Sequence, residues 1–264
     1  MPPSSRWLLL ASAASLIGGV VWFVHLLRAD ARSAPVSVSL PTGETITFEY
    51  DSTGPHAFTE SERRLIEDLA TRSFPDVRRV LPSLPPTLNL RLKSTTSEKV
   101  VPETGESGTN LPPDIVFWSI DASHPGGVEA VVRAELRAAL FHELAHIARA
   151  SAAGFGGQLR YHLIQEGLAT AIERDYAGGP VPLWGEYPPE VGQWARELLA
   201  LPKETPRDAW FSKDEDGRRW LGSKVGTYLV DRAAKASGKT SPELIGIPTE
   251  TLIEMAVGAG DGGE

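Results

Sequence analysis

The chain has 264 residues, a formal net charge of −8 at neutral pH and no cysteine. This length can bury the core of one good-sized domain, or of two small lobes about a cleft. The negative charge and the lack of a basic stripe argue against nucleic-acid binding. The absence of cysteine excludes thiolate zinc sites, disulfide scaffolds and cysteine nucleophiles, so any metal ion must be held by histidine and carboxylate side chains.

Residues 7–27 form a stretch without formal charge that follows Arg6. The stretch is long enough to cross a lipid bilayer as one helix and longer than the core of a typical signal peptide. Because a short flank carrying Arg6 tends to stay inside, we expect a single-pass signal-anchor with the rest of the chain extracytoplasmic. Residues 29–31 resemble a small-x-small cleavage site, so secretion after signal-peptide cleavage is the alternative.

The first predicted elements after the anchor are a β-hairpin and a helix. Residues 36–40 and 45–50 alternate apolar and polar side chains on either side of a turn, which predicts two paired strands. Thr59 and Glu62 form a capping-box pattern that opens the helix. Pro75 is expected to break or restart this helix.

Two further strands and a long loop precede the centre of the chain. Residues 87–92 alternate, and residues 114–120 are rich in β-branched and aromatic side chains, so both are predicted strands. Residues 93–113 between them are rich in Ser, Thr, Gly and Pro, which predicts a loop. A loop of this length either covers a cleft or is a surface excursion.

The second half of the chain reads as mainly helical. Helical patterns cover residues 128–150, 158–176, 191–201 and 218–237, and Ser241 and Thr249 are expected to cap two short closing helices. The fold class is therefore α+β, with a small N-terminal sheet and a mainly helical C-terminal part. We divide the chain into an anchor and linker (1–32), one domain (33–257) and a disordered tail (258–264).

The central helix carries a His-Glu-x-x-His motif. His142 and His146 lie four residues apart, so both imidazoles leave one face of the helix and can close on one metal ion. Glu143 points about 100° away and can reach a water molecule as a general base. Residues 138–147 are otherwise apolar, so these polar groups are expected to be buried and to need partners. Two histidines hydrogen-bonded to neighbours are the simpler alternative.

A third metal ligand is expected from the next helix. Glu166 is the candidate, and the adjacent Gly167 suits a close approach of two helices despite its cost in a helix interior. His162, one turn earlier on the same face, is the alternative ligand. Two histidines, a carboxylate and an open position suit Zn²⁺ well.

His142-Glu143-Leu144-Ala145-His146 and the later Gln165-Glu166-Gly167-Leu168-Ala169 resemble the gluzincin class of zinc metallopeptidases. The Glu-Gly-Leu-Ala motif is similar to the corresponding motif of a family described as Zn-dependent proteases of uncharacterised function. The likeness covers residues 138–185, with a weaker echo at 226–230. The Gly-x-Met-Glu-Asn signature of aminopeptidases is missing, which favours an endopeptidase.

The resemblance implies a zincin-like lobe in which Zn²⁺ is bound by His142, His146 and Glu166, with Glu143 as the base. It also implies an edge strand that pairs with an extended peptide substrate, a role that chain order gives to residues 114–120. Position 170 is Thr where several gluzincins have an acidic partner for a ligand histidine, which leaves that partner open.

Several residues are candidates for supporting roles around this site. Tyr228, Tyr161 and His162 are candidate oxyanion donors, with Tyr228 preferred among the three, although the balance for Tyr228 itself favours a core tyrosine. Glu173 is a candidate partner for a ligand histidine, or else a solvated carboxylate.

The sequence thus predicts a membrane-anchored zinc endopeptidase acting on peptide or protein substrates. The alternative from another class is a zinc-stabilised binding or regulatory module without turnover. An intact Glu143 favours the enzyme, because a structural zinc site needs no base and closes all four metal positions with protein ligands.

Overall fold

The computed structural model describes residues 34–205 and 218–258. These residues contain five strands and seven α-helices, so the predicted α+β class is confirmed. The strands are β1 (Val36–Ser39), β2 (Thr45–Asp51), β3 (Thr87–Thr95), β4 (Glu106–Leu111) and β5 (Ile115–Asp121). The helices are α1 (Glu60–Val80), α2 (Gly127–Ala153), α3 (Leu159–Tyr176), α4 (Val191–Leu199), α5 (Leu221–Ser237), α6 (Ser241–Leu244) and α7 (Thr249–Gly258).

Two sequence predictions fall on other parts of the chain. The membrane anchor at residues 7–27 lies outside the described residues, as do residues 259–264 of the predicted tail. Gly258, expected to begin that tail, is the last residue of α7. Across the two described ranges, no helix is both long and apolar enough to cross a membrane.

The five strands form one mixed sheet in the order β1-β2-β3-β5-β4. The predicted hairpin is confirmed, since β1 and β2 pair antiparallel, while β2, β3 and β5 run parallel. Alternate side chains of β2 and β3 are buried in the same core as α1 and α2, because successive strand residues point to opposite faces. The buried residues of these two strands include Ile46, Phe48, Leu88, Leu90 and Leu92.

The prediction that residues 114–120 form the edge strand was wrong. Strand β5 covers this region and is paired on both sides, with β3 and with β4. The true edge is β4, which lies inside the predicted loop of residues 93–113 and runs antiparallel to β5. Its sequence, Glu-Ser-Gly-Thr-Asn-Leu, has low strand propensity, so pairing with β5 rather than local preference holds it extended.

The sequence predicted that Pro75 would break or restart the first helix, and this prediction was wrong. Helix α1 continues from Glu60 to Val80 with Pro75 inside it, and the predicted capping box of Thr59 and Glu62 is confirmed. Phe74 and Val77, on either side of the proline, are completely buried. Burial of this apolar face compensates for the one backbone hydrogen bond that proline removes.

The helical half is assembled around α2, α3 and α5. A Cβ atom added to Gly167 of α3 would lie 2.2 Å from the backbone of Gly226 of α5, so the two helices cross backbone to backbone. Arg149 near the end of α2 is 1% exposed, and its guanidinium donates to the carbonyls of Ile245 and Ile247. These contacts hold α3 against α5, and α2 against the C-terminal segment.

Candidate metal centre

His142, His146 and Glu166 converge in the structure, the first two from α2 and the third from α3. One ligand atom from each can be chosen so that all lie within 4.8 Å of one another. The two Nε2 atoms are 3.1 Å apart. Glu166 Oε2 lies 3.7 Å from His142 Nε2, and Glu166 Oε1 lies 3.8 Å from His146 Nε2. This group could hold a metal ion.

The dimensions of the cluster fit zinc. Tetrahedral zinc with bonds of about 2.0–2.2 Å separates neighbouring ligand atoms by roughly 3.3 Å. The observed separations of 3.1, 3.7 and 3.8 Å lie near that value, the last two measured to different oxygens of Glu166, and with one oxygen chosen all three ligand atoms lie within 4.8 Å of one another. Two histidines and one carboxylate leave a fourth tetrahedral position for water or substrate, which is the arrangement of catalytic rather than structural zinc sites.

Glu173 contacts His142 at Nδ1, the ring nitrogen that does not contact His146 or Glu166. Its Oε2 accepts a hydrogen bond from His142 Nδ1 at 2.9 Å. With its proton on Nδ1, a neutral imidazole directs the lone pair of Nε2 toward His146 and Glu166. Trp184 Nε1 donates to the same Glu173 oxygen at 3.1 Å, so the carboxylate is itself held in place.

The cluster carries surplus negative charge. Although burial favours the neutral imidazole, Glu166 and Glu173 raise the pKa of His142 well above its ordinary range. Burial also raises the pKa of the Glu143 carboxyl, against the opposing effects of His142 and Asn110. A buried site that favours an extra proton in this way also favours a divalent cation in its place.

Glu143 is not a member of the cluster, and it contacts strand β4. Its Oε2 accepts a hydrogen bond from Asn110 Nδ2 at 2.7 Å. A Cβ atom at Gly108 would lie 2.4 Å from its Oε1. Neither residue was singled out from the sequence, because both lie in the stretch predicted to be a loop.

A cleft with a volume of about 420 Å³ opens over this cluster. Residues of strand β4 and of helices α2 and α3 line it, together with Trp184, Trp220 and Phe155. Phe155 lies in the glycine-rich loop after α2, and its side chain is 74% exposed. The cleft therefore gives solvent access to the cluster.

The three candidate oxyanion donors differ in their position relative to the cleft and in their hydrogen-bond partners. Tyr228 is not brought to the cluster: its hydroxyl accepts a hydrogen bond from Arg232, and its ring packs on Tyr187. Tyr161 borders the cleft, but its hydroxyl donates to the carbonyl of Gly154. His162 also borders the cleft.

Position 170 does not supply the partner of His142. Thr170 is completely buried, and within the described parts of the chain its hydroxyl oxygen has no hydrogen-bond partner. The carboxylate that contacts His142 comes instead from Glu173, about one turn later on the same helix. The spacing of Glu173 from Glu166, seven residues or two turns, is the sequence signal for this placement.

Comparison with known proteins agrees with the geometry. A family model described as "Predicted Zn-dependent protease (DUF2268)" matches residues 66–254, which include α2, α3 and α5 with every member of the cluster. No curated protein matches the chain. The matched region covers most of the sequence, and the chain belongs to the DUF2268 family of predicted Zn-dependent proteases.

Proposed function

We propose that this chain is a zinc-dependent endopeptidase of the gluzincin type, with a zincin-like fold. The observation that carries the proposal is the convergence of His142, His146 and Glu166 beside Glu143, in a cleft bordered by an edge strand. The metal-ligand set leaves an open position, and Glu143, which is not part of the set, lines the same cleft. A structural zinc site would need neither feature.

Zinc bound by these side chains would act as a Lewis acid and lower the pKa of water toward neutrality. Glu143 would take the proton from the attacking water and return it to the leaving amine. Its raised pKa suits this exchange, because an efficient general base has a pKa near the working pH. Glu173 would keep the Nδ1 proton of His142 in place throughout. His162 is the cleft residue that we propose as oxyanion donor.

The outer edge of β4 would bind the substrate as an added strand. Asp121 N–H, at the end of β5, donates to the carbonyl of Gly105, whereas the carbonyl of Glu106 accepts from Val101 on the other side. Because backbone groups alternate along an antiparallel strand, those of Gly108 and Asn110 also point away from β5. They lie beside Glu143, so an extended peptide that pairs with them would present its carbonyl to the base. The exposed Phe155 offers an apolar contact.

We also propose that residues 7–27 anchor the enzyme in a membrane with the domain extracytoplasmic. The support is their length and lack of charge. Fractionation of cells that express the chain, followed by protease treatment of intact cells, tests this. An uncleaved anchor predicts an integral membrane protein that is digested from outside, whereas a cleaved signal predicts a shorter soluble product.

Metal analysis of the purified full-length chain tests the proposed function. We expect zinc to bind with one ion per chain. Glu166→Ala should lower zinc affinity by more than the roughly 10–100-fold that is typical of losing an outer partner. His162→Ala is the matched variant and should keep its zinc. If Glu166→Ala retains full affinity and His162→Ala loses it, the third ligand is His162.

Cleavage of a peptide library by the zinc-loaded chain completes the test. Cleavage that a chelator stops and zinc restores supports the endopeptidase. Stoichiometric zinc without cleavage of any peptide would instead identify a zinc-stabilised binding module. A chain that binds no zinc contradicts both functions.

A further inference from the structure

The surroundings of Glu143 are unusual for a buried carboxylate. Glu143 is only 6% exposed to solvent. Throughout the two described ranges, Glu143 forms no ion pair with an arginine or lysine, and its hydrogen-bond donor is the neutral amide of Asn110. A buried carboxylate normally gains a cationic partner or several donors. A single neutral donor fixes its position without neutralising its charge.

Residues of strand β4 lie next to both oxygens of the Glu143 carboxylate. Gly108 and Asn110 are two residues apart and share one face of the strand. Asn110 holds Oε2 at 2.7 Å. The backbone at Gly108 limits the space beside Oε1, since a Cβ atom there would be 2.4 Å from Oε1 and 2.9 Å from Cδ. One oxygen is therefore held by a hydrogen bond, and the other is confined by backbone.

We infer that Asn110 and Gly108 are positioning residues that fix the Glu143 carboxylate for its role as general base. The inference rests on the proposed function. A glutamate has three rotatable side-chain bonds, and a displacement of about 1 Å in a reacting group can lower the rate on the order of 100-fold. The amide of Asn110 and the backbone at Gly108 limit that displacement.

Removal of the amide donor tests the inference in the zinc-loaded full-length chain. Asn110→Ala and the similarly sized Asn110→Leu should each lower kcat about 10–100-fold and leave KM and zinc content close to the wild-type values. Asn89→Ala, which removes an amide donor to Asp114 on a strand that does not line the cleft, is the control and should keep the wild-type kcat. Wild-type kcat in Asn110→Leu would overturn the inference.

A double-variant experiment shows whether Asn110 acts through Glu143. In Glu143→Gln, the base is already lost, so adding Asn110→Ala should lower kcat no further. A general structural role would lower the activity of Glu143→Gln by the same factor as it lowers that of the wild type. That additive result would contradict the inference.

A crystal structure of Asn110→Ala provides a measurement that does not depend on turnover. We expect the Glu143 carboxylate to leave its wild-type position or to occupy more than one rotamer, while His142 and His146 stay in place. An unchanged, single Glu143 rotamer would overturn the inference even if the enzyme is active. If the wild type cleaves no peptide but Glu143 moves in the variant, the proposed function fails and the positioning role stands.

Discussion

At the scale of single residues, the centre depends on how each charged group is held. His142 lies between two carboxylates, with Glu166 on the Nε2 side and Glu173 on the Nδ1 side. Glu143 is held by an amide, and Glu173 by the indole of Trp184 as well as by His142. His142 and Glu143 therefore each have a neighbour that fixes the orientation of the side chain.

Glu173→Gln should weaken zinc binding. The glutamine can still accept a hydrogen bond, but it no longer supplies the negative charge that supports His142 as a ligand. Loss of such a partner typically lowers metal affinity or activity by about 10–100-fold. Zinc affinity measured by competition with a chromogenic chelator checks this. Asp175→Asn, an exposed carboxylate two residues along, should leave the affinity unchanged, and an equal loss in both variants would contradict the role of Glu173.

Glu106→Gln should remove a pH-dependent loss of stability from the metal-free chain. Burial, with repulsion from Glu143 and despite a hydrogen bond from Trp118, raises the pKa of the Glu106 carboxyl to about 7. The folded state therefore holds a proton that the unfolded state releases above its ordinary pKa near 4.5. The free energy of unfolding should fall as pH rises from about 5 to 8, by up to roughly 3 kcal/mol.

Urea unfolding in the presence of chelator at pH 5 and pH 8 measures this difference. The Glu106→Gln chain should lose less stability over that interval than the wild type does. Glu98→Gln, at an exposed position, is the control and should behave as the wild type. If Glu106→Gln and the wild type lose the same stability, Glu106 is not protonated in the fold.

The sequence predicted some of these residues and not others, for a physical reason. The spacing of His142, Glu143 and His146 is typical of a helix, and Glu166 and Glu173 lie on one face of the next helix. Local periodicity therefore identifies them as candidate site residues. Asn110 and Gly108 reach the site only through the pairing of β4 with β5. That pairing is a long-range contact that leaves no periodic signal in a stretch of small polar residues.

At the scale of elements, α3 and α5 cross with their backbones in close contact. A Cβ atom at Gly226 would lie 2.0 Å from the carbonyl oxygen of Leu163, just as one at Gly167 would overlap the backbone of Gly226. Glu166 immediately precedes Gly167, so its place at the cluster depends on this contact. The sequence suggested a close approach at Gly167, but its partner is α5 rather than the metal-bearing helix.

Gly167→Ala should therefore separate the two helices. Overpacking of this kind typically costs about 1–3 kcal/mol, which exceeds the gain of up to about 1 kcal/mol in helix propensity. We expect a lower free energy of unfolding and weaker zinc binding, because Glu166 moves with the helix. Gly179→Ala, where a Cβ atom has open space, is the control. Wild-type stability in Gly167→Ala would contradict the tight crossing.

Elements with a strong apolar pattern were predicted correctly, and the exceptions have tertiary causes. The strands at residues 45–50 and 87–92 and the helices bearing the site follow from alternation or helical periodicity. Strand β4 is extended because β5 offers a partner, and α1 continues through Pro75 because its apolar face is buried. Local propensity alone could not indicate either outcome.

At the scale of the whole molecule, the site helix α2 connects the sheet to the C-terminal helices. Its first half packs in the core with α1 and the sheet, and near its other end Arg149 is held by the carbonyls of Ile245 and Ile247 and by the hydroxyl of Thr249. Burial lowers the pKa of Arg149. This buried guanidinium lies only three residues after His146, so the C-terminal segment supports the metal centre from a distance in sequence.

Arg149→Met should destabilise the chain by about 3 kcal/mol, because it leaves several buried acceptors without a donor. Chemical unfolding of the metal-free chain measures the loss. Arg133→Met on the same helix replaces an exposed arginine and should change stability by no more than about 0.5 kcal/mol. Equal stabilities of the two variants would show that Arg149 does not join α2 to the C-terminal helices.

The most direct test of the central claim is peptide cleavage by the zinc-loaded wild type and Glu143→Gln at equal zinc content. If His142, His146 and Glu166 bind the metal and Glu143 is the base, the variant keeps its zinc and loses roughly 10²–10⁴-fold in kcat. Cleavage at the wild-type rate by Glu143→Gln, or no cleavage by a fully loaded wild type, would contradict the claim.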